Sequence, residues 1–341
     1  MPNVLKEAII KTIAFFNIFS FPLTSFEIWK FMYVGSDKKN PPDPSPKRLA
    51  FSRAGLYTKR VIQESPLHKG DKGGFASLTE VRKILDSGEL NYAIEEKNGF
   101  YFLHGRENII KTRMERHNHT DRKFKRALRM AKIFAFIPWI KMIAVANIIG
   151  PHNLRNSSDI DLFIITEKKR IWLARFFTAA VTQLLGLRPK KNDIRDKICL
   201  SFFISEEAKN LKRLTLNGKE DIYFIYWLAG LTPLYDQNES YVELIKANSW
   251  INKYLPNWRL ADIVKRGRVE LRFPRLFGAL VDIVFGRFER HFKKLQIKLI
   301  PPNMKAIANK DTRVVINDKV IKLHINDRRE TYREMFEEAV E

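Results

Sequence analysis

The chain contains almost no cysteine: Cys199 is the only one among 341 residues. A single cysteine excludes an internal disulfide framework and a zinc site built from several cysteines. Its flanks, ICLSFF, have the composition of a core strand. Cys199 is therefore predicted to be a small buried apolar residue.

Long uncharged apolar runs are also absent, and no segment reaches the length of a membrane-spanning helix. The apolar stretch at residues 8–21 is interrupted by Lys11 and leads into Pro22, without the cleavage pattern of a secretory leader. We therefore expect a soluble, cytoplasmic protein with no membrane span.

Acidic residues are scarce relative to basic ones, with 38 Asp and Glu against 61 Lys and Arg and a net charge of +23. This excess favours a polyanionic partner, such as nucleic acid, nucleotide phosphates or an anionic membrane surface. A generally basic, solvated surface is the alternative. Apolar residues make up 45% of the chain, enough for a real core, and the length suits two or three domains.

The first 115 residues are predicted to form a winged-helix-like domain. Helical apolar spacing, two N-terminal capping signals and an Asn-Gly dipeptide between two strand-like runs give the order helix, helix, helix, hairpin. These signals are residues 3–16, Thr24 or Ser25, Ser77 with Glu80, and Asn98-Gly99. An insertion at about 36–75, rich in Pro, Gly, Lys and Ser, is predicted to be disordered.

The remainder is predicted to be an α+β domain at 116–238, with a small mixed sheet, and a mostly helical domain at 239–341. Strands are expected near 140–149, 160–166 and 197–204, with a basic helix before them at 106–132. In the C-terminal region, 276–300 is basic and amphipathic, and a hairpin is expected at 314–324. We favour a packed helix over a membrane-surface helix at 276–300, because Asp282 and Glu289 interrupt its cationic face.

The stretch NSSDIDLFIIT places Asp159 and Asp161 at the mouth of an otherwise apolar strand. Side chains alternate along a strand, so these two carboxylates share one face while Ile160 and Leu162 point to the other. Two desolvated acids so close together repel, and a cation between them removes that cost. Carboxylate ligands suit Mg²⁺. The alternative is a solvent-exposed strand end.

The strand, polar connection, paired-acid strand and helix resemble the nucleotidyltransferase superfamily related to DNA polymerase beta. The residues that carry the resemblance are SSDIDLFIIT followed by KKRIWLARFF. With a winged-helix start, AVANII before the acid pair and KLHINDRRE near the end, the chain also looks like uncharacterised bacterial proteins that join a winged helix to such a domain.

The resemblance implies a nucleotidyltransferase-fold sheet and transfer of a nucleoside monophosphate from an NTP to a hydroxyl acceptor, with two Mg²⁺ ions and release of pyrophosphate. Asp159 and Asp161 would bind the metal, and Asp196 is the candidate third acid. The phosphate loop would include Asn147, Gly150, Ser157 and Ser158, the last three within GPHNLRNSS.

Two features of the superfamily are missing at the expected positions. A Gly-Ser pair should fall near Asn147-Ile148, and the strand at 197–204 carries no acid on the face opposite Ile198, Leu200, Phe202 and Ile204. A catalytically degenerate, nucleotide-sensing regulator that binds nucleic acid through its basic N-terminal region is therefore the alternative. The acceptor, the preferred NTP and the oligomeric state stay open.

Overall fold

The computed structural model describes residues 2–35, 75–260, 269 and 275–341. The predicted insertion at about 36–75 lies, except for Phe75, outside the described residues. The described residues form two compact units. The first comprises 1–109, 250–262 and 338–341, and the second comprises 110–249 and 263–337. The predicted division into domains at 1–115, 116–238 and 239–341 stays a prediction.

The described residues of the first unit contain three helices followed by a hairpin, in the predicted order: α1 (Pro2–Ile18), α2 (Ser25–Lys30), α3 (Leu78–Asp86), β1 (Ile94–Lys97) and β2 (Phe100–Leu103). The predicted capping box at Ser77 and Glu80 is present, and of the two candidate caps Thr24 and Ser25 it is Thr24 that caps α2, also in a capping box with Glu27. The β1–β2 hairpin turns at Asn98 and Gly99, which both have positive φ.

An isolated β-bridge lies beside this two-stranded sheet. Leu23 and Tyr101 exchange both backbone hydrogen bonds, at 3.0 and 2.7 Å, so the segment before α2 pairs with β2. Asn257 joins residues 250–260 to the same unit, since its Oδ1 accepts from the Phe75 amide at 3.0 Å and its Nδ2 donates to the Trp29 carbonyl at 3.0 Å.

The second unit contains a six-stranded mixed sheet with the order β6-β3-β4-β5-β8-β7. Its strands are β3 (Ile140–Val145), β4 (Ile160–Thr166), β5 (Ile198–Ser205), β6 (Thr232–Asp236), β7 (Val314–Ile316) and β8 (Val320–Leu323). The α+β class with a small mixed sheet is confirmed. Among the strands of the described ranges, β4 and β5 alone run parallel to each other. The hairpin expected at 314–324 exists, and it joins the sheet beside β5.

Eight helices accompany this sheet in the described ranges: α4 (Asn108–Phe134), α5 (Ile171–Leu184), α6 (Ile222–Ala229), α7 (Ser240–Ala247), α8 (Arg275–Phe285), α9 (Glu289–Leu299), α10 (Pro302–Ile307) and α11 (Arg329–Val340). The long helix α5 connects the parallel strands β4 and β5, as parallel pairing requires. Within the described ranges, no helix is both long enough and apolar enough to cross a bilayer.

A bulge in β5 changes which residues face which side of the sheet. Asp161 pairs with Cys199, but Phe163 pairs with Phe202, so β5 has one residue more than β4 over this span. Ile198 and Phe203 consequently lie in the same core cluster as Ile160 and Leu162. The expectation that Ile198, Leu200, Phe202 and Ile204 share one face was wrong, because regular alternation stops at the bulge.

The other face of the sheet is aromatic beyond the acid pair. Phe202 stacks on Trp227 of α6 with ring centroids 5.3 Å apart, and Phe163 meets both rings edge-on at 5.0 and 5.4 Å. This packing gives the strands that carry Asp161 and Cys199 a rigid base.

Candidate metal centre

Asp159 immediately precedes β4, and Asp161 is its second residue. Ile160 and Leu162 are buried in the core on the opposite side of the strand, so both carboxyl groups lie on one face. The structure brings Asp159, Asp161 and Cys199 together, with one potential ligand atom from each within 4.8 Å of the others. Among the described residues, this is the group of three that could hold a metal ion.

The two carboxyl groups make ionisation costly for each other. Desolvation and then the charge of Asp159 raise the pKa of Asp161 to about 6, against hydrogen bonds from Asn147 and Cys199 that act to lower it. Desolvation also raises the pKa of Asp159, although the Lys123 ammonium opposes it. A divalent cation bound between the carboxylates would remove this cost, so the residues present fit a metal ion.

Cys199 lies beside Asp161 because the two residues are partners in the parallel pairing of β4 and β5. Burial and then the charge of Asp161 raise the pKa of its thiol well above the ordinary value, so the sulfur is held as a neutral S–H. Cys199 has intermediate exposure rather than the burial predicted for it, and it lies beside the acid pair. The third potential ligand of this group, beside the two carboxyl groups, is therefore a thiol.

A hydrogen-bonded chain continues from the thiol. Cys199 is hydrogen-bonded to Ser201, whose hydroxyl lies 2.7 Å from Nε2 of His324, the residue that follows β8. Burial and then the charge of Lys322 lower the pKa of His324 to about 4, so the imidazole is neutral at pH 7. Asp161, Cys199, Ser201 and His324 thus form a connected row across β4, β5 and the end of β8.

The connection between β3 and β4 holds Asn147 against the acid pair. Asn147 has a left-handed backbone (φ +57°), its side chain is hydrogen-bonded to Asp161, and its Oδ1 accepts a hydrogen bond from the Tyr223 hydroxyl at 3.3 Å. Gly230 allows this loop to approach α6, because a Cβ there would lie 2.6 Å from the carbonyl oxygen of Ile148. Gly150 also has positive φ (+88°).

Helix α4 fixes the rest of this connection. The Thr120 hydroxyl donates to the His152 carbonyl at 2.7 Å and accepts from the Leu154 amide at 3.0 Å. The Lys123 ammonium is fully buried and donates to the Ser158 carbonyl. The basic helix predicted at 106–132 therefore uses several of its polar groups to shape the loop that precedes the acids.

The remaining predicted residues lie around this loop. Ser158 is partly exposed, and its hydroxyl lies 3.0 Å from the Arg155 carbonyl and 3.1 Å from the Asp159 carbonyl. Ser157 is exposed. Their predicted role in a phosphate loop, with Asn147 and Gly150, stays a prediction.

Asp196, the predicted third acid, is engaged elsewhere. Its carboxylate bonds the Lys123 ammonium at 2.8 Å and the Arg122 guanidinium at 3.1 Å, and its backbone carbonyl accepts from Arg126 at 3.0 Å. Partial burial acts to raise the pKa of Asp196, but the bonds to Lys123 and Arg122 hold it below its ordinary value. Asp196 is not in the group formed by Asp159, Asp161 and Cys199.

Sequence reasoning missed Cys199, Ser201 and His324 as members of the site. Strand register could have pointed to Cys199, since it stands at the start of the strand predicted beside Asp161. No short-range signal places His324 there, because it lies 123 residues from Ser201. Comparison with protein-family models, curated proteins and solved structures gave no match, so the site itself carries the functional assignment.

Proposed function

We propose that the protein is a Mg²⁺-dependent nucleotidyltransferase that moves a nucleoside monophosphate from an NTP to a hydroxyl acceptor. One observation carries the proposal: Asp159 and Asp161 lie together on one face at the start of a central strand. The pKa values of both are raised, and a bound cation would lower the cost of ionising them. The sheet pattern around them, antiparallel β3–β4 followed by parallel β4–β5, agrees with the superfamily that the sequence resembles.

In this reaction the acceptor oxygen bonds to the α-phosphorus, the bond to the pyrophosphate oxygen breaks, and the acceptor proton passes to a base or to water. Bound Mg²⁺ would neutralise phosphate charge and make the acceptor hydroxyl more acidic. Asp159 and Asp161 would hold the metal, Asn147 would orient Asp161, and the α4-anchored loop would lie against the nucleotide phosphates. The positive φ of Asn147 and Gly150 is a backbone conformation that also occurs in phosphate-binding loops.

The proposal is tested by NTP-dependent pyrophosphate release with Mg²⁺, comparing the wild type with Asp161→Asn. We expect a loss of at least about 100-fold, because one metal carboxylate is removed while the shape is kept. Asp193→Asn is the matched control, since Asp193 is an exposed acid that pairs with Lys197 at 2.9 Å outside the centre. Equal pyrophosphate release by wild type and Asp161→Asn would contradict the assignment.

A second candidate function is nucleotide sensing without transfer. This function is favoured because the third potential ligand beside the acid pair is the neutral thiol of Cys199 and not a carboxylate. The predicted third acid, Asp196, forms ion pairs with Lys123 and Arg122 instead. This candidate predicts saturable Mg²⁺–NTP binding in equilibrium dialysis and no pyrophosphate release. Asp161→Asn would then weaken NTP binding but would have no activity to remove.

A nucleic-acid partner is proposed for the first unit. In its described residues, the order of three helices and a hairpin, with an isolated bridge between Leu23 and Tyr101, supports a winged-helix assignment. The test is binding to random-sequence duplex at increasing salt, where contact with several phosphates gives a steep fall in affinity. Weak binding that is insensitive to salt would contradict this part of the proposal.

A further inference from the structure

Helices α8 and α9 carry large apolar side chains on their outer side. Ile283 and Leu299 are each 73% exposed, and Leu280 is 55% exposed. Together with the 3₁₀ turn at Gly286–Phe288, the two helices present an outward stripe at spacings of three and four residues. We define the α8–α9 outer face by its apolar residues Leu280, Ile283, Val284, Phe288, Leu295 and Leu299.

These helices are apolar on their inner side as well, so the exposed stripe is not simply a core face turned outward. Phe292 contacts the Phe176 ring with centroids 4.2 Å apart, and Phe285 meets Phe177 edge-on at 5.5 Å. Val281 and Ile297 also pack against the core cluster. A helix that is apolar on both sides belongs either inside a protein or at an apolar surface that covers its outer side.

Cations accompany the apolar residues on this face. Arg287, Arg290, Lys294 and Lys298 are exposed and continue the same helical spacing. The guanidinium of Arg287 lies over the Phe288 ring, 5.1 Å from its centroid. This combination of exposed leucine, isoleucine and phenylalanine with arginine and lysine is typical of helices that lie in a membrane interface.

The two acids of this segment are both hydrogen-bonded to neighbouring groups of the protein. The Asp282 carboxylate accepts hydrogen bonds from Arg170 at 2.7 Å and from the Trp139 indole at 2.7 Å. The Glu289 carboxylate accepts from the backbone amides of Trp172 and Leu173, at 2.8 and 3.0 Å, and so caps the first turn of α5. The Asp282 side chain is 38% exposed, but its charge is paired with Arg170, and Glu289 is partly buried.

We propose that the α8–α9 outer face binds the surface of an anionic lipid bilayer, lying in the plane of the interface. Charge complementarity selects this occupant, because a cationic face whose two acids are bonded to protein groups, with an apolar stripe beside the cations, matches anionic headgroups above acyl chains. A second copy of the chain would bring the same cations against each other. The sequence-based objection, that Asp282 and Glu289 interrupt the cationic face, is removed by their contacts with Arg170, Trp139 and the start of α5.

The test is flotation of the full-length protein with vesicles of phosphatidylcholine alone or with about one-third phosphatidylglycerol. We expect binding to the anionic vesicles and little binding to phosphatidylcholine alone. The double variant Leu280→Gln with Ile283→Gln should weaken binding at least about tenfold by removing buried apolar area. Lys294→Gln with Lys298→Gln should weaken it by about tenfold or more, and added salt should act in the same direction.

Matched controls come from α4 in the same unit. Met114→Gln removes another exposed apolar side chain, and Arg129→Gln with Lys132→Gln removes two other exposed cations. Both should bind vesicles as the wild type does. If the Leu280 and Ile283 double variant fails to fold, Leu299→Gln alone replaces it, with an expected loss of at least about threefold.

Three results would overturn the proposal. The first is no flotation of the wild type with either vesicle. The second is binding that the variants on α8 and α9 leave unchanged. The third is self-association in sedimentation velocity that Leu280→Gln with Ile283→Gln abolishes, in a protein that does not float; that result would assign the face to a second copy of the chain.

Discussion

Asp161 should limit the stability of the metal-free protein at neutral pH. The pKa of its carboxyl rises from 3.8 to about 6 on folding. At about 1.36 kcal/mol per pH unit, ionising Asp161 in the folded protein costs about 3 kcal/mol more than in the unfolded chain. Since the folded pKa is the higher one, the stabilising contribution is complete below pH 3.8 and is lost as pH rises to about 6.

Asp161→Asn is neutral at every pH and should not suffer this loss. With a chelator present, we expect the variant to exceed the wild type in stability by about 3 kcal/mol at pH 8 and to differ little at pH 4. For a unit of this size the difference corresponds to a rise of about 6–12 °C in the calorimetric transition of the second unit. Mg²⁺ should raise the transition of the wild type and leave Asp161→Asn unaffected.

The control is Asp193→Asn, an exposed acid whose replacement should change stability by about 0.5 kcal/mol or less at either pH. A difference between wild type and Asp161→Asn that is the same at pH 4 and pH 8 would refute the reasoning. So would an Asp161→Asn variant that is less stable than the wild type at pH 8 without metal.

Two further predictions concern residues that support the elements around the site, Arg329 and Gly230. Arg329→Met should cost about 3–5 kcal/mol in unfolding free energy, because it leaves the buried Asp221 carboxylate, 2.7 Å from Arg329, without its cation. Arg313→Met is the control at an exposed ion pair and should cost under about 1 kcal/mol. Equal losses in the two variants would contradict the prediction. Gly230→Ala should lower pyrophosphate release and stability together, since its Cβ would lie 2.6 Å from the Ile148 carbonyl oxygen. Gly278→Ala, with Pro138 at an ordinary 3.5 Å, should lower neither.

Local signals in the sequence predicted most of the fold elements. Ser77 with Glu80 gives a capping box, and Asn98-Gly99 gives a hairpin turn, because each depends on residues within a few positions. The convergence of Asp159 and Asp161 followed in the same way from strand alternation.

Features that depend on distant contacts could not be predicted in this way. The bulge in β5 follows from pairing with β4 and places Phe203, rather than Phe202, beside Ile198 in the core. The ion pairs of Asp196 with Lys123 and Arg122 depend on how α4 packs beside the sheet. The hydrogen bonds of Asp282 to Arg170 and of Glu289 to the first turn of α5 depend on how α5 packs, so the sequence alone did not predict them.

The position of β8 in the sheet has a consequence for how the chain is made. Until β8 is synthesised and docked, β5 is an edge strand with unpaired backbone groups at Phe202, Phe203 and Ile204. His324 reaches Ser201 only at that stage, across 123 residues. During translation Asp159 and Asp161 can therefore come together before β8 covers the edge of β5. Until then, chaperones or other chains can bind this apolar edge.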